Sequence, residues 1–168
     1  NVLVSMLFAG ISGSSTADAA GIGSLMIPAM KKQGYDSSFS VAITACSSVM
    51  GVIIPPSILM IVWGGLMSVS IAALFLAGVL PGLAIAMLMM GTLAVYAKKR
   101  GYPVDPRVSR GEMVSATRDA LLALVTPAII VGGIVGGLFT PTEASAVAVI
   151  YSAALGTWIY RSIDRRRF

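Results

Sequence analysis

The sequence predicts an all-α polytopic membrane protein, and three observations support this class. The chain is 57% hydrophobic and 11% charged, with a mean hydropathy of +0.89. Apolar runs close to the roughly 20 residues that cross a bilayer recur along it. The basic residues cluster between these runs, as expected for cytoplasmic loops. The clusters predict multi-pass topology with cytoplasmic loops at 31–36, 98–118 and 161–168.

The composition also excludes several classes of function. The chain has no histidine and a single cysteine, Cys46, which excludes a histidine-based zinc site, a Cys/His nucleophile and an internal disulfide. No paired carboxylates or activated nucleophile are apparent, so an enzyme is not predicted. The basic loops account for the net charge of +5, and nucleic acid is not a predicted partner; an anionic-lipid or RNA patch is the alternative. Cys46 is expected to be a small buried hydrophobe.

The stretch Gly10–Gly21 concentrates small and hydroxyl residues between two apolar segments. Irregular backbone at membrane depth is tolerated only where protein covers it or where it lines a wet cavity. We therefore predict a re-entrant helical hairpin over residues 1–33, with this stretch at its tip. The second helix is expected to restart near Thr16, with Ser15 as its N-cap and Asp18 completing a capping box. A small-residue packing interface is the alternative interpretation.

The next span, residues 37–68, is interrupted by Pro55 and Pro56. Two prolines remove two amide donors and clash with the carbonyls four residues earlier, those of Gly51 and Val52. These carbonyls are then free to take another ligand. A discontinuous span beside a re-entrant tip is typical of secondary transporters.

Three further regions complete the chain. Residues 69–97 form a span, and residues 98–120 are expected to be a cytoplasmic loop followed by an interfacial amphipathic helix that begins with the capping box Ser109–Glu112. Residues 121–168 hold two more spans, and Thr140–Glu143 is a capping box that starts the second of them. The sequence starts within an apolar run without an initiator methionine or a signal peptide, and we expect it to be a fragment of a longer protein.

The tip and the break supply the candidate site. Hydroxyl and carbonyl oxygens of the tip are hard donors that suit an alkali cation, while the helix N-terminus at Thr16 offers amides to an anion. Ser57, next to the proline pair, is expected to line the same site as Gly51. Asp18 is an ionisable residue at membrane depth, so it is either a functional group or a structural cap.

Six ordered motifs carry a resemblance to a known family. Together they resemble the large membrane (M) subunit of the tripartite ATP-independent periplasmic (TRAP) transporters over nearly the whole chain. The motifs are Gly10–Ala20, Ile27–Met30, Gly34-Tyr35, Ile54–Ser57, Leu74–Gly78 and Phe139–Ala144.

The resemblance implies an inverted-repeat, elevator-type carrier in the bacterial inner membrane, driven by a sodium gradient and needing no cofactor other than this coupling ion. It implies an organic anion such as a carboxylate as substrate, a periplasmic substrate-binding protein that delivers it, and a small membrane (Q) subunit. Residues 1–97 then correspond to the first-repeat transport region and 121–168 to the start of the second repeat, with two scaffold spans. The second hairpin and the second broken helix are not contained in this sequence.

The resemblance also implies roles for individual residues. The hairpin and the broken helix would build one sodium site, and the neighbouring helix end would hold the substrate carboxylate. The implied sodium ligands are Ser12, Ser14, Ser15, Gly51 and Pro55 with Pro56, and the predicted substrate-binding residues are Ser57, Thr16 and Asp18.

Two other functions fit the same sequence pattern. The first is a stand-alone carrier similar to the divalent anion–sodium symporters, which needs no soluble receptor. The second is a non-transporting membrane scaffold, in which the tip serves only for packing. A requirement for a binding protein separates the first from a TRAP transporter, and absence of any sodium effect on stability favours the second.

Overall fold

The computed structural model describes residues 1–102 and 109–160, which form helices joined by short turns. The predicted all-α class is confirmed for this part of the chain. Two compact units are present, Asn1–Asp105 and Pro106–Phe168, and their boundary falls inside the predicted loop region 98–120. The helices are α1 (Val2–Ser12), α2 (Ser15–Lys32), α3 (Ser37–Ser48) followed by a 3₁₀ turn (Val49–Val52), α4 (Ile58–Met67), α5 (Ile71–Arg100), α6 (Arg110–Val135), and α7 (Pro141–Ala154) followed by a π turn (Leu155–Ile159).

Helices α1 and α2 run antiparallel as a helical hairpin. Only two residues separate them, and the first, Gly13, has φ +63°, a left-handed conformation that glycine adopts without a Cβ penalty. At the open end, Asn1 Nδ2 donates to Met30 Sδ at 3.2 Å. Nearer the turn, a Cβ on Gly21 would lie 3.5 Å from the Phe8 ring. Contacts between the start of one helix and the end of the other require the two helices to be antiparallel.

The predicted N-cap of α2 is wrong by one residue. Ser14 caps the helix instead of Ser15, and its hydroxyl accepts from the amide of Ala17 at 3.4 Å. The residue three positions after the cap is therefore Ala17, whose methyl side chain has no acceptor to complete a capping box. Asp18 is left free of the cap, and its carboxylate accepts instead from the hydroxyl of Ser12.

A row of buried polar side chains joins α1 to α3. The hydroxyls of Ser5 and Ser47 lie 2.8 Å apart, and Asn1 Nδ2 donates to Thr44 Oγ1 at 2.8 Å. Such bonds between helices are a common means of association in an apolar environment. The same geometry corrects the prediction for Cys46, which is exposed. Thr44 and Ser47 occupy the face of α3 that packs on α1, so Cys46 between them points elsewhere.

The predicted break in the second span is present. Helix α3 ends at Ser48, and the 3₁₀ turn Val49–Val52 follows. Pro55 and Pro56, joined by a cis peptide bond, then precede Ser57, which is the N-cap of α4. Because proline has no N–H and its ring opposes the carbonyl four residues earlier, α-helical bonding cannot continue through this stretch.

Among the described residues, two helices are long and apolar enough to cross a membrane, Ile71–Arg100 and Gly111–Val135. The first continues through Pro81 and extends past the end of the predicted span 69–97. At 1.5 Å per residue its 30 residues measure about 45 Å, more than the roughly 30 Å of a bilayer core. The other apolar helices of the first unit are shorter than a full span.

In the second unit, the predicted interfacial helix and the following span form one helix, α6. It runs from Arg110 to Val135 without a break near residue 120, because no strong helix breaker occurs before Pro127. Both predicted capping boxes, Ser109–Glu112 and Thr140–Glu143, are confirmed. Residues 103–108, which belong to the predicted basic loop 98–118, and residues 161–168, which form the last predicted basic loop, lie outside the described residues.

Candidate functional site

The tip of the hairpin packs directly on the break in the second span. The amide of Ile58, at the start of α4, donates to the carbonyl of Gly13 at 3.1 Å. A Cβ on Gly13 would lie only 2.8 Å from the carbonyl oxygen of Pro56. Both backbones approach this closely because Gly13 has no side chain. The two segments that the sequence singled out as a joint site are therefore adjacent in space.

Asp18 is the central group of this contact region. Its side chain is 0% exposed, and the hydroxyl of Ser12 donates to its Oδ1. Its second oxygen, Oδ2, is buried and accepts no hydrogen bond from the described residues. That oxygen lies against Gly51, where a Cβ would collide with it and would come within 3.0 Å of Cγ. Asp18 thus joins the hairpin to the 3₁₀ turn of the broken span.

Electrostatics restrict what this arrangement can bind. An ionised carboxylate removed from water is costly unless a cation or hydrogen-bond donors compensate it. The hydroxyl of Ser12 donates to Asp18 Oδ1, and Oδ2 has no donor among the described residues. The part of the chain that the structure describes contains no cluster of three or more His, Cys, Asp or Glu side chains. Hydroxyl, carbonyl and carboxylate oxygens suit a hard cation.

The Gly51 carbonyl is also free of its helical partners. The amide of Ile54 donates to Met50 at 2.8 Å instead, and Pro55 has no N–H to donate. This outcome agrees with the prediction that the proline pair releases the Gly51 carbonyl. The Val52 carbonyl, predicted to be released as well, accepts from the hydroxyl of Ser57 at 2.8 Å.

The other predicted sodium ligands differ in how closely they approach Asp18. The Ser14 backbone packs on Gly51, with its carbonyl carbon 3.1 Å from a Cβ built there, so Ser14 lies in the same cluster. Ser15 is partly buried in the first turn of α2, and Pro55 is buried beside Pro56. Among the described residues, Ser15 donates no hydrogen bond to the Asp18 carboxylate, and Pro55 has no N–H to donate. The structure therefore brings together Ser12, Ser14, Asp18 and Gly51.

The predicted substrate-binding residues occupy different environments. The hydroxyl of Ser57 is 0% exposed; it donates to Val52 and accepts from the amide of Met60 at 3.4 Å. Thr16 is exposed at the N-terminus of α2, and its hydroxyl lies 3.0 Å from that of Ser14. The first amides of any α-helix have no intrahelical acceptor. Of the three predicted substrate-binding residues, Thr16 is exposed, whereas Ser57 and Asp18 are buried.

The whole chain, residues 1–168, matches the family described as "Tripartite ATP-independent periplasmic transporter, DctM component". The chain belongs to this family. Members of this family are components of transporters and are not enzymes.

Named relatives agree with the assignment to the DctM family. The chain is 49% identical to the uncharacterized protein YgiK of Salmonella typhimurium over 98% of its length, which corresponds to 38% of the relative. It is 43% identical to the sialic acid TRAP transporter large permease protein SiaM of Vibrio cholerae, over 100% of the chain and 39% of the relative. The C4-dicarboxylate TRAP transporter large permease protein DctM of Pseudomonas aeruginosa is 43% identical over 96% of the chain and 38% of its own length. The chain thus spans less than half of each of these relatives.

The contact between tip and break in this DctM component can be tested at Gly13. Replacing Gly13 with alanine is expected to cost about 1–2 kcal/mol for the left-handed backbone and about 1–3 kcal/mol more for the collision with Pro56. Gly101→Ala is the matched control, because Gly101 has φ +64° and nothing within 4 Å of its Cβ position. Thermal unfolding of both variants measures the difference. Equal destabilisation would show that the tip does not pack on the break.

The sequence pattern missed one role at this site. Asp18 was assigned either to the cap or to the substrate, whereas its carboxylate faces Gly51 and Ser12. The signal in the sequence was the spacing of Ser12 and Asp18 across a Gly-Ser turn, which places the hydroxyl beside the carboxylate once the second helix starts at Ser15.

Proposed function

We propose that this chain forms the first half of the transport site of a TRAP permease that couples uptake of an organic anion to sodium. The observation that carries the proposal is the buried Asp18 carboxylate, with Oδ2 unpartnered among the described residues and set against Gly51 where the hairpin meets the broken span. A monovalent cation bound there would neutralise the buried charge. The residues that would hold it are Asp18, Ser12, Ser14 and the Gly51 carbonyl.

Asp18 is assigned here to the cation and not to the substrate. A buried carboxylate repels a second carboxylate, so it cannot favour an organic acid directly. A cation bound between the two would turn this repulsion into attraction, and the same step would couple the two solutes. Ser15 and Pro55 remain predicted members of the cation site.

The anion would bind at the N-terminus of α2. That helix has 18 residues, and its first amides and its dipole favour negative charge. The exposed hydroxyl of Thr16 adds a donor at the same end. The hydroxyl of Ser57 is already committed to Val52 and Met60, so we place the carboxylate at Thr16 in preference to Ser57.

The names of the relatives support the substrate class and the partners of this proposal. Relatives are named as permeases for sialic acid, C4-dicarboxylates and ectoine. All three substrates carry a carboxylate, which is the chemical group that the α2 terminus would bind. A periplasmic binding protein would deliver the substrate, and a small Q subunit would complete the complex in the inner membrane.

The geometry also suits an elevator-type carrier. The hairpin, the broken span and α5 belong to one compact unit, Asn1–Asp105. A site between the hairpin and the break could therefore move with that unit as a whole. In this arrangement the hairpin is re-entrant: its tip lies at membrane depth and its open end, with Lys31 and Lys32, faces the cytoplasm. The basic end of α5 faces the same side.

Uptake by the complete permease in proteoliposomes tests the proposal. Substrate uptake is measured with and without an inward sodium gradient, and with and without the soluble binding protein. We expect uptake to require both. Uptake that needs sodium but no binding protein would indicate a stand-alone symporter, and uptake indifferent to sodium would contradict the proposed cation site.

A further inference from the structure

A second cluster of functional groups lies at the open end of the hairpin, away from the transport site. The rings of Tyr35, Phe39, Tyr96 and Tyr102 pack together, with centroids 4.7 Å apart for Tyr35–Tyr102 and 5.2 Å for Phe39–Tyr96. The hydroxyl of Tyr102 donates to Asp36 Oδ2 at 2.7 Å. This aromatic cluster fastens the start of α3 to the last turns of α5.

A cavity of about 700 Å³ opens beside the aromatic cluster, between α3 and α5. Its walls include Phe39, Leu93 and Tyr96, while Asp36 and Arg100 contribute opposite charges. The Arg100 guanidinium lies 5.3 Å from the centre of the Tyr96 ring. The cavity therefore combines an apolar interior with one cation and one anion.

A second groove, of about 470 Å³, runs along α5 next to this cavity. The two share Thr92 and Tyr96, which form a ridge between them. The second groove is lined by apolar side chains such as Met87 and Leu88, and it extends to Lys99. The cavity and the second groove thus lie on either side of one ridge, and each has a basic residue among its lining side chains.

The cavity and the second groove lie at the basic end of α5, which corresponds to the headgroup region of a bilayer. Helix α5 is about 45 Å long and exceeds a roughly 30 Å hydrocarbon core, so its basic end reaches the headgroup region. Tyrosines and arginines are typical of that level, where an apolar body and a polar tip are both accommodated.

We propose that these two grooves hold one ethanolamine phospholipid, with an acyl chain on each side of the ridge formed by Thr92 and Tyr96. The guanidinium of Arg100 would bind the phosphate, since arginine matches phosphate geometry with paired donors. The carboxylate of Asp36 would bind the primary ammonium. A purely anionic headgroup would meet repulsion from Asp36, and a choline headgroup has no N–H to donate to it.

Asp36 is positioned for this role by its neighbours. It is the N-cap residue of α3 but makes no side-chain capping bond, and its Oδ2 is engaged by Tyr102. The hydrogen bond to Asp36 raises the pKa of Tyr102 above its ordinary value, because it stabilises the protonated phenol that donates to the carboxylate. This inference uses the membrane placement proposed above but is independent of sodium coupling.

Native mass spectrometry of the complete permease, with ethanolamine, glycerol and choline phospholipids added in equal amounts, tests the assignment. Arg100→Gln is expected to lower retention of the ethanolamine lipid by about tenfold. Lys31→Gln, which removes a charge outside the cavity, is the control and should retain it. Asp36→Asn keeps an acceptor for Tyr102, and is expected to reduce the preference for the ethanolamine lipid over the glycerol lipid by about fivefold.

A groove-filling variant provides a second test that does not depend on charge. Gly91 lines the second groove and has nothing within 4 Å of its Cβ position, so Gly91→Leu should fill the groove without disturbing the fold. Gly65→Leu, at an equally open position in α4, is the control. Loss of lipid in Gly91→Leu alone supports the proposal. Equal retention of the three lipids by the unmodified permease, or equal losses in Arg100→Gln and Lys31→Gln, would overturn it, whatever the sodium dependence of uptake.

Discussion

Asp18→Asn is expected to remove the sodium response of the complete permease while leaving the folded protein at least as stable in sodium-free buffer. Two unit charges about 4 Å apart attract by about 4 kcal/mol at an effective dielectric constant of 20. Asparagine keeps an oxygen ligand but not the charge, so we expect sodium affinity to fall by roughly 30-fold or more. The measurement is thermal unfolding across a sodium titration, together with sodium-driven uptake.

Asp18→Asn is expected to weaken sodium binding but not to lower the stability of the sodium-free protein. This difference separates a binding role of Asp18 from a structural one. Without sodium, the buried Oδ2 accepts no hydrogen bond from the described residues, so neutralising it should relieve a desolvation cost. Glu143→Gln is the control, since Glu143 is an exposed member of a capping box. That variant should lose a modest amount of stability, about 0.5–2 kcal/mol, and keep its sodium response. A normal sodium response in Asp18→Asn would contradict the proposed site.

The second large effect is expected from Gly51→Ala. The added Cβ would collide with Asp18 Oδ2 and lie 3.1 Å from the carbonyl carbon of Ser14. Overpacking of this kind typically costs about 1–3 kcal/mol, and here it must also displace the carboxylate. We therefore expect lower stability in sodium-free buffer and weaker sodium binding together, both measured by the same unfolding titration.

A matched glycine and a double variant control this prediction. Gly65→Ala adds the same methyl group in α4, where nothing lies within 4 Å of the Cβ position, and should leave both quantities unchanged. Adding Asp18→Ala to Gly51→Ala removes the carboxylate that the methyl group strikes, so the pair should be less destabilised than the sum of the single changes. Strict additivity would show that Gly51 and Asp18 are not in contact.

Local chemistry allowed much of the fold to be predicted. The capping boxes at Ser109–Glu112 and Thr140–Glu143 are correct, because a cap depends on residues within four positions of each other. The break before Pro55 and Pro56 follows from the same local rules, since a missing amide cannot be supplied from elsewhere in the helix. The apolar pattern likewise identified the long helices, but not that α6 continues without interruption through residue 120.

The environment of single side chains required the tertiary structure. The sequence placed Cys46 in a buried helix face, but the partner α1 covers only the side that carries Thr44 and Ser47. It also offered Ser57 as a free ligand, whereas the backbone path through the break brings the Val52 carbonyl within 2.8 Å of its hydroxyl. These outcomes depend on which faces meet, and periodicity alone does not specify that.

For this DctM component, the sequence alone determined a helical membrane protein with a small-residue tip that contains an acidic residue, followed by a proline break. Those features follow from residue type and spacing along the chain. The tertiary structure decided that Asp18 faces Gly51 and Ser12, and that Gly13 packs on Pro56. Gly51 lies 33 positions after Asp18 in the chain, and such distant segments meet only when whole helices pack together. The environment of this buried group is therefore set by packing that no local pattern encodes.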